Sequence, residues 1–117
     1  MHELQIATNI ISIVEEEIRK AGKTEDIDFV YFVAGKMRAI IPESLQFSFD
    51  VMKRDKPFLT DAELKISEIP IKIRCKNCKA EHTLDEPVFR CETCSSPEIE
   101  IISGDELYID SIEFSDT

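Results

Sequence analysis

The sequence predicts an α+β fold: a small mixed domain, two helices on a three-stranded, largely antiparallel sheet, with a four-cysteine domain inserted into it. Three observations carry this expectation. Residues 3–21 repeat apolar side chains at intervals of three and four, the period of an amphipathic helix. Residues 27–34 and 63–74 are apolar runs rich in β-branched side chains, the mark of strands. The only four cysteines form two C-x-x-C pairs, Cys75/Cys78 and Cys91/Cys94, with twelve residues between them.

Taken in order, the first helix places Leu4, Ala7, Ile11, Val14, Ile18 and Ala21 on one stripe, widened by Ile10. Glu15 and Glu16 stand four residues before Arg19 and Lys20, the favourable order for surface pairs. Gly22 suits the left-handed cap that ends a helix. Residues 27–34 become apolar on both faces after Asp28, which predicts the middle strand of a covered sheet. Gly35 ends the strand and residues 36–41 form a loop. Pro42 opens a second helix, with Glu43 favoured in its first turn. Leu45, Phe49 and Met52 share one face, with Phe47 and Val51 beside it, and the helix stops before Pro57. Residues 63–74 read as one long strand. Leu64 and Ile66 alternate in one phase; Ile69, Ile71 and Ile73 follow the other. The shift at Glu68-Ile69-Pro70 predicts a β-bulge, where the chain leaves the main core. Residues 98–102 return, Ser103-Gly104-Asp105 turns, and residues 106–114 close an antiparallel hairpin. That last strand changes phase as well, from Leu107 and Ile109 to Ile112 and Phe114. The expected division is 1–72 with 98–117 as the main domain and 73–97 as the insertion.

A C-x-x-C turn brings two sulfurs to one side of a tight loop. Two such turns facing each other offer four thiolates at tetrahedral corners, the arrangement Zn²⁺ takes with sulfur at about 2.3 Å. Residues 79–90 are long enough for a hairpin that joins the pairs. A thioredoxin-like redox site needs one C-x-x-C on a βαβ background. A disulfide framework belongs to secreted chains. An iron–sulfur cluster also accepts four cysteines. We expect a structural zinc site of Cys75, Cys78, Cys91 and Cys94, closed and without an open coordination position. His82, four residues after Cys78, is a spare ligand or a polar rim residue, and we place it on the rim.

The chain of 117 residues carries a net charge of −10 and 43% hydrophobic residues. Once four thiolates hold one Zn²⁺, the charge is about −12. Phosphate backbones require clustered Lys and Arg, so this balance argues against nucleic acid. Lys72, Arg74, Lys76 and Lys79 make a small positive spot in an acidic chain. No apolar run approaches a transmembrane span, and the start lacks a secretory pattern. Cysteines intended as thiolates imply a reducing compartment, so the expected location is cytoplasmic. There is no Gly-rich phosphate loop and no nucleophile–base set once the cysteines go to a metal, so the chain is not expected to be an enzyme.

Met1-His2-Glu3 is a second metal candidate. The terminal amine, the amide nitrogen of His2 and its imidazole nitrogen can bind one ion together, closing a five- and then a six-membered ring. That set suits Ni²⁺ or Cu²⁺. Glu3 offers a carboxylate or a backbone nitrogen for the next position. On the residues alone, an exposed terminal histidine without a metal remains the competing reading.

With both ends read, the chain resembles the HypA family of nickel metallochaperones for nickel–iron hydrogenase maturation. The shared features are Met1-His2-Glu3-Leu4, the Leu45-x-Phe47-x-Phe49-Asp50 run, the two C-x-x-C pairs, Gly104-x-Glu106-Leu107-x-Ile109 and Ile112-Glu113. They span essentially the whole chain in order. The resemblance implies a mixed α/β nickel domain plus a small zinc domain. It also implies Ni²⁺ held near His2 and delivered to the hydrogenase large subunit alongside a GTPase partner. In related proteins a carboxylate from the loop entering the second helix helps bind nickel. Here that loop carries the apolar Ile41, with Glu43 two residues later, so we assign no loop ligand. We expect a monomer or weak homodimer. The alternatives are a zinc-ribbon adaptor or transcription-type protein that ignores nickel, and a thiol redox switch.

Overall fold

The structure is a computed structural model; it describes residues 3–22 and 26–115. The fold is α+β, with two helices and two three-stranded sheets among the described residues. The chain divides into two compact units. One comprises Met1–Phe32, Ile40–Ser67 and Tyr108–Thr117; the other comprises Val33–Ala39 and Glu68–Leu107.

In the first unit, helix α1 (Glu3–Ala21) buries Ile6, Ala7, Ile10, Ile11 and Val14. The stripe is therefore centred one position away from the expected one. Leu4 is 57% exposed and Ile6 takes its place in the core. Both residues fit a three-and-four spacing with Ala7, Ile10 and Val14, so periodicity alone cannot choose between them. The charged face also pairs differently. Arg19 reaches Glu16, while Glu15 bonds Lys56 Nζ at 3.1 Å. Gly22 takes the left-handed conformation (φ 64°) and returns its N–H to Arg19 O, as a glycine past a helix end does.

Strand β1 (Ile27–Gly35) buries Ile27, Val30, Phe32, Ala34 and Gly35, and half-buries Phe29, Tyr31 and Val33. It is the central strand of the first sheet, whose order is β2-β1-β6, with β2 at Glu63–Ile69 and β6 at Leu107–Phe114. Backbone bonds from Ser115 N–H to Asp26 O and from Gly35 N–H to Glu106 O tie opposite ends of β1 and β6, so these two strands run antiparallel. Helix α2 (Pro42–Met52) starts with proline in its first turn, where no N–H is required, and packs on α1. It buries Leu45 and Phe49 but leaves Phe47 68% exposed. Two 3₁₀ turns, Lys53–Asp55 and Pro57–Leu59, carry the chain onward, and Lys53 Nζ donates to Ala62 O at 2.5 Å.

The expected long strand is two strands. After β2, the chain breaks at Pro70 and resumes as β3 (Ile71–Cys75) in the second sheet. Proline supplies no N–H to a ladder, and the buried set changes phase from Leu64 to Ile71, Ile73 and Cys75. The second sheet has order β4-β3-β5, with β4 at Glu81–Leu84 and β5 at Ile99–Ser103. Both neighbours are antiparallel to β3, with Ile73 opposite His82 and Ile101. The expected hairpin between residues 98–102 and 106–114 is absent, because β5 and β6 belong to different sheets. Gly104 turns the chain between them at φ 110°, and its N–H bonds Glu106 Oε1 at 2.9 Å. The phase change expected in the last strand is present: half-buried Leu107 and Ile109 give way, across exposed Asp110 and Ser111, to Ile112 and Phe114.

The second unit has its own core of Ile71, Ile73 and Leu84, with Met37 and Ile99 packed against it. Met37 sits in a 3₁₀ turn (Lys36–Arg38) within the expected loop, held by Met37 N–H to Gly104 O at 2.8 Å. No helix among the described residues is long and apolar enough to cross a membrane.

Candidate metal centre

Two backbone turns of the same design present the cysteines. In the first, Cys75 closes β3 and its N–H bonds Ala80 O at 2.9 Å; Lys79 N–H returns to Cys75 O at 3.0 Å. In the second, Cys91 N–H bonds Ser96 O at 3.0 Å and Ser95 N–H returns to Cys91 O at 2.9 Å. Each turn also points an amide at its leading sulfur: Cys78 N–H to Cys75 Sγ and Cys94 N–H to Cys91 Sγ, both at 3.4 Å. Lys79 and Ser95 close the turns with φ of 68° and 63°, in the left-handed region that glycine occupies at least cost.

The four sulfurs lie within 4.8 Å of one another. Cys75 Sγ is 3.5 Å from Cys94 Sγ, and Cys78 Sγ is 3.5 Å from Cys91 Sγ. A tetrahedral ion with bonds of about 2.3 Å needs sulfurs about 3.8 Å apart. The spacing therefore fits one tetrahedral metal, and the all-thiolate donor set suits Zn²⁺. Cys75 and Cys91 are buried; Cys78 and Cys94 face solvent.

The electrostatics follow from the amides. The Cys94 amide is the chief cause that draws Cys91 down to about 5, helped by His82 and the Thr93 amide against the opposing effect of burial. The Cys78 amide, with that of Asn77, holds Cys75 below its ordinary value. Cys78 is pushed up to about 12: the Ala80 amide lowers it, but the sulfur of Cys91, burial, and the sulfurs of Cys75 and Cys94 raise it more. Four sulfurs this close cannot all be ionised without a counter-charge, so protons stay on part of the set until a dication replaces them.

His82 stands beside the cluster. Its Nε2 is 3.5 Å from both Cys91 Sγ and Thr93 Oγ1, and its Nδ1 is 3.8 Å from Glu92 Oε2. It is a rim residue next to the four-sulfur group. Asn77 Nδ2, 3.8 Å from Cys94 Sγ, is a second rim donor that sequence reasoning missed. Nothing in a lone asparagine inside C-x-x-C signals that contact. Behind the site, Arg74 bridges Glu81 on β4 and Glu100 on β5, at 3.0 and 3.3 Å, so the small sheet carries a charge link across all three strands. Arg74 and Glu81 each hold the other charged, their hydrogen bond being the largest cause on both sides.

At the other candidate, Met1 and His2 lie outside the described residues. Glu3 is described, in the first turn of α1. Its carboxylate Oε1 accepts the N–H of Ile41, the residue that caps the start of α2, at 3.3 Å.

Comparison with known proteins adds the following. A family model described as hydrogenase/urease nickel incorporation, metallochaperone, hypA matches residues 1–114. The hydrogenase maturation factor HypA of Desulfatibacillum aliphaticivorans is 42% identical over 116 residues, covering 99% of this chain and 88% of that protein. The protein of the same name from Desulfosudis oleivorans is 40% identical over 116 residues, covering 99% and 100%. Among solved structures, the Ni metallochaperone HypA from Helicobacter pylori aligns with a TM-score of 0.67 at 24% identity, over 97% of each chain. A second HypA solution structure aligns with a TM-score of 0.70 at 24% identity, over 98% of this chain and 97% of that one. At that identity the two structures speak to the fold.

Proposed function

This chain belongs to the HypA family of hydrogenase/urease nickel-incorporation metallochaperones, and we propose that it carries Ni²⁺ on its N-terminus and hands it on during maturation of a nickel–iron hydrogenase. The reading rests on one conjunction: Met1-His2-Glu3 at the head of a chain whose family match runs through residue 114. Nickel is cargo here. The Met1 amine and the amide and imidazole nitrogens of His2 form the chelate, with the Glu3 carboxylate or backbone nitrogen at the next position. Binding requires a neutral imidazole, a neutral amine and loss of the His2 amide proton. Affinity therefore rises with pH and binding releases protons.

The four cysteines hold Zn²⁺ as a structural ion. Cys75, Cys78, Cys91 and Cys94 complete a tetrahedron, so the ion has no open position for chemistry, and the protein acts as a carrier rather than an enzyme. Residues 73–97 form the zinc domain; 1–72 with 98–117 form the nickel domain. The recipient is the hydrogenase large subunit, and a maturation GTPase supplies the nucleotide chemistry for which this chain has no phosphate loop. The protein works in the cytoplasm as a monomer or weak homodimer. Its net charge of −10 sets it against nucleic acid.

The test is a competition titration of nickel into untagged protein and into His2→Gln. Loss of nickel affinity by two orders of magnitude or more, with zinc content unchanged, is the expected result. Equal affinity in both proteins rejects the N-terminal assignment.

A further inference from the structure

We propose that the Glu3 carboxylate is a positioning group that latches the first turn of α1 to the start of α2, and that it orients the N-terminal chelate without ligating the metal. The proposal rests on the nickel reading above and refines it by assigning the Glu3 side chain.

The observation is the bond from Ile41 N–H to Glu3 Oε1 at 3.3 Å, across thirty-eight positions of sequence. Ile41 caps α2 with an extended backbone (φ −92°, ψ 109°) and has no polar side chain to help; none of its side-chain atoms makes a cap bond. Helix starts leave amides without partners inside the helix, and they are met by side chains or by water. Here the missing acceptor is brought from the other helix. Pro42, next in sequence, has no N–H to offer, so the Ile41 amide is the donor at this entrance that the carboxylate takes.

The same carboxylate lies in the first turn of α1, where the helix dipole is positive. It thus answers the positive ends of two helices at once. That matters for a cation site on the adjoining residue. A helix start disfavours a cation, and a carboxylate placed there offsets part of the penalty. The packing agrees: α1 and α2 lie against each other, with Ile40 buried immediately before the latched residue. The latch therefore fixes residue 3, and through it the covalent start of the chelate, against a packed helix. A carboxylate engaged this way leaves the backbone nitrogen of Glu3 as its contribution to the metal.

Pre-organisation of this kind raises affinity by the fraction of molecules already in the binding form. A hydrogen bond to a carboxylate at this exposure is worth roughly a tenfold change when lost. The experiment uses the untagged full chain with Glu3→Gln, Glu3→Asp and Glu3→Ala. Two quantities are read: the Ile41 amide by NMR shift and hydrogen exchange in protein without nickel, and nickel affinity by competition. Glu3→Gln keeps an oxygen at the same reach. It is expected to retain the Ile41 signal and nickel affinity within about threefold. Glu3→Asp keeps the charge but is one methylene short. With Glu3→Ala, it is expected to expose the Ile41 amide and weaken nickel about tenfold. The opposite order, with Asp behaving as wild type and Gln as Ala, marks the carboxylate as a ligand or a charge and overturns the proposal. An Ile41 amide unmoved in Glu3→Ala overturns it too. If His2→Gln leaves nickel binding unchanged, the N-terminal chelate fails, whereas the Ile41 readout still decides whether the latch exists.

Discussion

Lys79 and Ser95 show most directly how this chain bends local preference to keep its cysteines in place. Both close a cysteine turn with positive φ, 68° and 63°. An L-residue there costs about 1 kcal/mol relative to glycine, because its Cβ crowds the following carbonyl. Lys79→Gly and Ser95→Gly should each stabilise the zinc-loaded protein by about 1 kcal/mol in urea unfolding; destabilisation would mean these side chains hold the turn in another way. The absence of glycine also explains a gap in the sequence reading. Ligand identity was visible in the C-x-x-C spacing, whereas the turn geometry was not, since its usual marker is missing at both positions. Tyr31 makes a second residue-scale test. Its O–H donates to Glu113 Oε2 at 2.8 Å, and that bond is the largest cause holding the phenol above its ordinary value of 10.0. The folded state favours the neutral phenol. Stability from this contact is complete below pH 10 and is lost as pH climbs through the raised folded value. Ultraviolet titration should show a late-titrating tyrosine that vanishes in Tyr31→Phe and moves down in Glu113→Gln. A curve unchanged by Glu113→Gln would contradict the bond.

At the scale of elements, close backbone approach decides what the alternation of apolar residues could not. Gly35 ends β1 against the turn at Gly104, and a Cβ on Gly35 would fall on the Gly104 carbonyl. Gly104 in turn lies over Ile71, whose Cα would be 2.8 Å from an added Cβ. Gly35→Ala should therefore cost about 3 kcal/mol, read as a lowered urea midpoint with unchanged slope. A change below about 0.5 kcal/mol would show that this approach is looser than described. The same contacts explain the misread hairpin. Residues 98–102 and 106–114 have the right length and a turn-like Ser-Gly-Asp between them, so pairing them is natural from sequence. What redirects them is long-range: β5 finds β3, and Gly35 N–H takes Glu106 O. Pro70 was legible as an interruption but not as a boundary between sheets, because a bulge and a break give the same change of phase. β4 was harder still. Glu81-His82-Thr83-Leu84 has one buried residue and no apolar run; its strand is defined by pairing with β3. The helices were the easiest to read, since α1 repeats over nineteen residues, and even there the stripe's centre depended on which neighbour packs against it.

For the molecule as a whole, the two compact units divide the chemistry. The second unit has a core of a few aliphatic residues and two buried cysteines, too little apolar surface to hold a segment of this length by burial alone. A metal clamp is the natural supplement, and the four sulfurs have the spacing for it. The first unit has a larger core from α1, α2 and the first sheet, and the proposed cargo site adjoins it at Glu3. The acidic balance suits a carrier of cations and deters association with nucleic acid. The two metal sites are independent in this account, one permanent and one transient. The most direct test is elemental analysis of untagged protein with an unblocked N-terminus, equilibrated with both ions and then cleared of free metal. Wild type should retain zinc and nickel in near-equal amounts, and His2→Gln should retain the zinc while losing the nickel. Nickel retained undiminished by His2→Gln would contradict the account.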